Sequence, residues 1–343
     1  MVGEIFVETT YINNGVFRLQ YTSIHGILSN DKGAFWKMLE LFTRSCIMQR
    51  ETTTMESVYH QFQRFLKDIL KASPDKYPKS YHLKQFGWND FNKIGAIHPH
   101  YHVGYSLMAA LQLHSPVAAD GEPEKSTSYF GRSFSLNFRP AYHSTNFVSR
   151  PVRYDSYIAY LGRASTYIGI ELRDDESDLL YMTGQMQCIT IDLKEKKLVP
   201  VSLESIKKYE GKIMLKEAPK RHQFIPAQFA KDNVFKWKTA TQWSDVDHNG
   251  HVNQMPYMRF IYDAGSSAAV AGFLKSFHRE LIHYRLKTYA VEYIKEIHQG
   301  QELKIFCWEM KDSPGTIHFE FHVEGHVVSR SHLIFDVQHL AEL

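Results

Sequence analysis

Two stretches of this 343-residue chain follow one pattern, and that duplication narrows the folds open to it more than any other feature. "VFRLQYTSIHGILSNDKGAFWKMLELF" begins at Val16 and "VFKWKTATQWSDVDHNGHVNQMPYMRFIYDA" at Val234. Each opens on "VF", a basic residue and apolar residues at alternate positions, the period of a half-buried strand. Each then crosses a polar segment into an aromatic-rich run with helical spacing. The sequences that follow, from Ser133 and from Tyr289, are runs of alternating apolar and polar residues split by turn signals such as "RDDES", "HQGQ" and "KDSPG". Strand, helix, then several strands, written twice, predicts an α+β protein. It would be a tandem repeat of one β-α-β-β-β-β unit, each long helix wrapped by an antiparallel sheet.

The expected division is an N-terminal repeat over residues 1–205, a linker over 206–228 and a C-terminal repeat over 229–343. The first repeat carries an insertion over about 51–128. Within it "MESVYHQFQRFLKDILK" has helical spacing and "SPVAADGEPEKSTS" reads as an exposed loop. The linker region has little periodicity and many cations, among them Lys207, Lys208, Lys212, Lys216, Lys220, Arg221 and Lys231. It reads as a solvated tether along the outside.

Length and composition fit a two-domain globular protein with 43% hydrophobic and 22% charged residues. A net charge of only +3 argues against nucleic acid as a partner. Cys46, Cys188 and Cys307 are too few and too scattered for a disulfide framework or a zinc pattern. They suit a reducing compartment, the cytoplasm, with the mitochondrion open as well. The N-terminus does not read as a secretory signal, and no apolar run reaches the ~18 residues of a membrane span.

"SDVDHNGHVNQMPY", residues 244–257, places Asp247, Asn249 and His251 at alternate positions just before an apolar helical stripe of Met255, Met258, Ile261 and Tyr262. In extended backbone the three polar side chains would share a side. Gly250 would allow a close approach or a sharp turn. A helix N-terminus offers free N–H groups and a positive dipole end, which would stabilise a polarised carbonyl. Asn253 suits the helix cap. A cap accounts for one residue of the cluster and not for the other three.

These residues resemble the signature of hotdog-fold thioesterases, D-x-D-x-x-G-H-V-N-x-x-x-Y. The resemblance is closest to the acyl-ACP thioesterases, through Trp243, Asp245, Asp247, Asn249, His251, Val252 and Asn253. The resemblance implies a tandem (double) hotdog fold with the catalytic set in the C-terminal repeat. It also implies an acyl thioester substrate, with acyl carrier protein or coenzyme A as carrier. "EYIKEI" puts Glu296 on the family's further acid, and Ile297 where plant members carry cysteine, so a carboxylate mechanism is expected. Asp247 would act as general base or as nucleophile, with both open. Glu296 would position water or orient His251. The amides near Gly250 to Asn253 and the Asn249 side chain would polarise the carbonyl. Gly250, Val252, Asn253 and Tyr257 are the residues expected to touch substrate. In the first repeat His25 and Asn30 have the wrong spacing and Ala141 stands where Glu296 would be. One site per chain is therefore expected.

Rival readings are a hotdog enoyl-thioester hydratase and a non-catalytic acyl-binding protein. Phe134, Phe138, Tyr154 and Tyr160 could line an acyl tunnel or be ordinary sheet packing. No metal or other cofactor is expected: His98, His100 and His102 in "HPHYH" read as loop or core histidines, and Arg150 and Arg153 as surface charges. The chain is expected as a monomer or a homodimer.

Overall fold

The computed structural model describes residues 6–12, 16–22, 77–114, 127–192, 194–195, 197–230, 233–247 and 250–340. The chain divides into two compact units, Met1–Asp68 and Ile69–Leu343. The described part of the first is a hairpin of β1 (Phe6–Ile12) and β2 (Val16–Thr22), so the period-two pattern after Val16 does form a strand. The helical run expected after it, His25, Asn30, Cys46 and the 55–71 segment lie outside the described residues.

The second unit contains β3 (Lys79–Leu83), α1 (Pro99–His114), β4 (Thr127–Phe138), α2 (Pro140–His143), β5 (Val152–Leu161), β6 (Ser165–Asp174), β7 (Leu180–Asp192) and β8 (Lys197–Leu198). It continues with α3 (Leu203–Tyr209), β9 (Phe235–Ala240), α4 (Gln254–Val270), β10 (Tyr284–Tyr293), β11 (Glu302–Glu309), β12 (Thr316–Val323) and β13 (His326–Leu340). The strands form one sheet in the order β3-β5-β6-β7-β4-β10-β13-β12-β11-β9, with β8 beside β7. Every pairing is antiparallel. From either edge inward, the strands of each half run first, third, fourth, fifth, second in chain order. The halves join where β4 pairs with β10, from Asn137 opposite Thr288 to Ser133 opposite Glu292. This is a large antiparallel sheet with few helices, a hotdog-type α+β architecture.

Residues 77–114, assigned from sequence to an insertion, instead supply β3 and α1. The misreading has a physical cause. Helix α1 carries no Lys, Arg, Asp or Glu, and much of it is buried, so it lacks the polar face that marks a helix in sequence. It packs on β3, β5 and β6, and also on α4. The helices meet closely: a methyl on Gly104 would lie 3.0 Å from the Met255 sulfur.

Alternation divides the sheet residues between two faces. Toward the helices point Phe134, Leu136, Tyr289, Val291, Phe319, Phe321 and Leu333, all buried. In α4 the small residues Ala264, Gly265, Ala268 and Ala269 are buried, which lets the sheet lie close. On the other face Trp308 is paired with His318, and His318 with His332, with rings 5.7 and 6.0 Å apart. His222 and Phe224 of the linker region lie 5.2 and 5.4 Å from the His332 ring. The linker is thus more than a tether. Leu215 N–H donates to the Ala159 carbonyl at 2.9 Å, and Tyr209 packs on Tyr77. Lys207, Lys212, Lys216, Lys220 and Arg221 remain exposed.

Two measurements test this packing. A Cβ on Gly265 would meet Leu281 Cδ1 at 2.5 Å and Phe319 Cζ at 3.1 Å. Gly265→Ala gains about 1 kcal/mol of helix propensity and loses roughly 1–3 kcal/mol to overpacking. The urea midpoint should fall; a rise would mean that the sheet yields there. Burial, with smaller contributions from His222 and His318, pushes His332 down to about 3. Between pH ~6.5 and that value the unfolded chain takes up a proton that the folded chain refuses, so stability falls as pH falls. His332→Gln should remove on the order of 2 kcal/mol of the stability difference between pH 7 and pH 5. An unchanged difference in urea titrations at the two pH values would contradict a buried neutral His332.

Candidate active site

The site is built on a short turn between β9 and α4. Trp243–Asp245 forms one turn of 3-10 helix. Asp245 is buried, and its carboxylate accepts from Gln242 N–H at 2.8 Å and from Arg259 of α4 at 2.5 Å. Its carbonyl accepts from Asn253 N–H at 2.8 Å. Between these anchors the chain doubles back. Val246 bridges Val252, Asp247 N–H donates to the His251 carbonyl at 2.9 Å, and Gly250 N–H donates to the Asp247 carbonyl at 2.9 Å. Gly250 has φ +75°, a left-handed conformation that glycine adopts without strain and that lets the chain turn back sharply. The chain therefore doubles back between Val246 and Val252 and does not run extended through the motif. Asp247 and His251 still share a side, because they face each other across it.

A second bridge attaches this hairpin to the loop after β10. His251 pairs with His298, and Val252 N–H donates to the Ile297 carbonyl at 2.7 Å. The register brings His251 and Glu296 together, with Nε2 to Oε2 at 3.3 Å. The His251 and His298 rings are 4.9 Å apart. One ligand atom from each of His251, Glu296 and His298 lies within 4.8 Å of the others, a group that could hold a metal ion. The Glu296 side chain is 52% exposed and that of His251 26%, so water reaches both. Asn249 lies outside the described residues. His298 was not singled out in the sequence, where it belongs to the turn signal "HQGQ"; its pairing with His251 is a long-range contact that no local pattern announces.

The helix end differs from expectation in one respect. The N–H groups of Gly250, Val252 and Asn253 already donate to the Asp247, Ile297 and Asp245 carbonyls. They are not available to a substrate carbonyl. Asn253 is the N-cap of α4, its side chain accepting from Met255 N–H at 3.3 Å. Val252 and Tyr257 are buried, and the Tyr257 ring packs on Tyr293 and Phe321. Of the four residues expected to touch substrate, Gly250 alone is exposed.

The same turn occurs in the first half. Trp88–Asp90 is a 3-10 turn, and the Asp90 carboxylate accepts from Gly87 N–H at 2.9 Å. The Asp90 carbonyl accepts from His98 N–H at 2.7 Å, Phe91 bridges Ile97, and Gly95 has φ +76° before α1 begins at Pro99. Trp88, Asp90 and Gly95 stand the same distance along the chain from Trp243, Asp245 and Gly250. At that offset Asp247, His251 and Glu296 correspond to Asn92, Ala96 and Ala141. The first-half counterpart of the motif is this segment and not "TSIHGILSNDKGAFW".

His98 and His100 flank the start of α1, so "HPHYH" is not one extended face. His102 is a core histidine, fully buried between the hydroxyls of Tyr154 and Tyr142 at 2.8 and 2.6 Å. Arg150 and Arg153 form ion pairs with Asp174 and Asp155 at 2.7 and 2.9 Å. Phe134, Phe138 and Tyr154 belong to the packed core, whereas Tyr160 is half-buried against Tyr167. Two cavities, of about 330 and 60 Å³, lie along residues 220–228; neither includes a residue of the His251 cluster.

Residues 230–336 match the family model of the acyl-ACP thioesterase C-terminal domain. No match was found among curated proteins. Among solved structures, an acyl-ACP thioesterase from Bacteroides thetaiotaomicron aligns over 75% of this chain and 97% of its own, with TM-score 0.57 and 17% identity. The 12:0-ACP thioesterase from Umbellularia californica aligns over 75% of this chain and 96% of its own, with TM-score 0.57 and 12% identity. The family resemblance drawn from the motif therefore holds: over residues 230–336 the chain matches the acyl-ACP thioesterase C-terminal domain, and its fold is shared with solved acyl-ACP thioesterases.

Proposed function

We propose that the chain is an acyl thioesterase, hydrolysing fatty acyl thioesters of acyl carrier protein or coenzyme A to a free acid and a thiol. In this reading β3–α1–β4–β5–β6–β7 and β9–α4–β10–β11–β12–β13 are tandem hotdog repeats, and Asp247, Asn249, His251 and Glu296 of the second form the one active site. The observation that carries it is the meeting of His251 and Glu296 at 3.3 Å, with Asp247 hydrogen-bonded to His251 through the backbone, where the first half has Asn92, Ala96 and Ala141 instead. A copy that keeps the scaffold but lacks the equivalents of Asp247, His251 and Glu296 supports a chemical role for those groups, since the turn does not need them to form.

Asp247 takes a proton from water, or attacks the carbonyl itself. His251, paired with Glu296, holds the water or shares the proton. With the Gly250, Val252 and Asn253 amides occupied, the Asn249 side chain and the positive end of α4 would stabilise the developing oxyanion. The leaving thiol has a pKa near ~8.5 and does not require a strong acid. The exposed cations Lys207, Lys212, Lys216, Lys220 and Arg221 suit an acidic carrier protein, and would equally suit coenzyme A phosphates.

Asp247→Asn and Asp247→Ala should lower kcat on acyl thioesters by roughly 10²–10⁴-fold, with the urea midpoint of each close to that of the parent. Glu296→Gln should lower it as well, by a smaller factor. A hydrolysis panel across carriers and chain lengths reads this. Undiminished turnover in the Asp247 variants, or hydration of enoyl thioesters with no hydrolysis, would overturn the proposal.

A further inference from the structure

We propose that His251, Glu296 and His298 form a binding site for one divalent transition-metal ion of the zinc type, and that an ion held there stops hydrolysis. The binding itself is independent of the proposed function; the inhibition rests on it.

The backbone holds the donors in place. His251 and His298 are paired residues of an antiparallel bridge, so their side chains leave on one side. Both partners of the bridge are fixed from behind. Val252 N–H donates to the Ile297 carbonyl at 2.7 Å, the Thr241 hydroxyl donates to the His298 carbonyl at 2.7 Å, and His298 N–H donates to Gln301 Oε1 at 2.8 Å. Glu296 lies two residues before His298 and reaches the same place. The two imidazoles meet edge to face with centroids 4.9 Å apart.

The spacing suits zinc. A tetrahedral ion with bonds of ~2.0–2.1 Å separates its ligand atoms by about 3.3–3.4 Å. His251 Nε2 and Glu296 Oε2 are 3.3 Å apart. The third donor lies within 4.8 Å of both, and His298 is exposed, so a side-chain rotation closes the remainder without displacing packed neighbours. Two imidazoles and a carboxylate suit zinc and its neighbours, while magnesium and calcium prefer all-oxygen sites. Such an ion takes the lone pair of His251 Nε2 and a carboxylate oxygen of Glu296, the two groups that hold water or share the proton in the proposed reaction. His298 has no part in that reaction.

Equilibrium dialysis of the full chain against zinc chloride, with magnesium chloride in parallel, reads the site directly. One zinc per chain and no magnesium should be retained, and His298→Ala and Glu296→Gln should each weaken zinc binding at least tenfold. Acyl-thioester hydrolysis, referenced for each chain to its own rate in chelator, should fall with zinc occupancy, and the inhibition midpoint of His298→Ala should shift by the factor seen in dialysis. No zinc retained, equal binding by His298→Ala, or full turnover by the zinc-loaded parent would overturn the proposal. Zinc retained through His298 by a chain with no hydrolysis would leave the site standing and remove the proposed function. Hydrolysis with no zinc retained would do the reverse.

Discussion

The buried carboxylate of Asp245 ties together elements that would otherwise move independently. It accepts from the end of the β9 segment through Gln242 N–H and from the first turns of α4 through Arg259. The carbonyl of the same residue holds Asn253, the cap of α4. The hairpin from Val246 to Val252 is thus clamped at both ends, with Gly250 supplying the left-handed residue at its tip. Given that clamp, the bridge to His298 sets where His251 sits, and that position determines whether Glu296 can reach it. A buried acid with two donors is costly to leave half-paired, which makes the turn a rigid support for exposed groups.

The two halves of the sheet keep this support and differ in what it carries. Asp90 repeats the two bonds that Asp245 accepts from backbone N–H groups, with the Tyr105 hydroxyl donating to it in place of Arg259, and Gly95 repeats the turn of Gly250. The polar groups of the second copy are replaced by an amide and two methyl groups at Asn92, Ala96 and Ala141. The hydrogen bonds that the two turns share therefore rest on one aspartate and one glycine, and the other positions differ without undoing the turn. The first half contributes instead through packing, with α1 against α4 and β4 against β10.

What the sequence revealed follows from the range of the forces involved. The turn and the start of α4 were legible because capping, a left-handed glycine and an amphipathic stripe are local. The strands from Ser133 and Tyr289 were legible from period two, and the pairing of Ala141 with Glu296 by position came out of them. The helix of the first half was not, because α1 is covered by the sheet and by α4 and its sequence has no charged side to give a period. His298 was missed because its partner lies far away in sequence. Residue types do not disclose where backbone N–H groups are spent, so the amides of Gly250, Val252 and Asn253 read as free donors in sequence; two of the three go to carbonyls within the turn, and the third to the loop after β10.

The central claim is that an acyl thioester binds with its carbonyl at the start of α4, on the side of the hairpin that carries Asp247 and His251. A crystal structure of the full chain with a non-hydrolysable acyl thioester analogue tests it most directly. The account predicts the analogue's carbonyl carbon within reach of the Asp247 carboxylate and the His251–Glu296 pair, with the acyl chain running inward along α4. An analogue seated at the Asn92 turn, or in the 330 Å³ cavity beside Pro226 and Phe306, would contradict it.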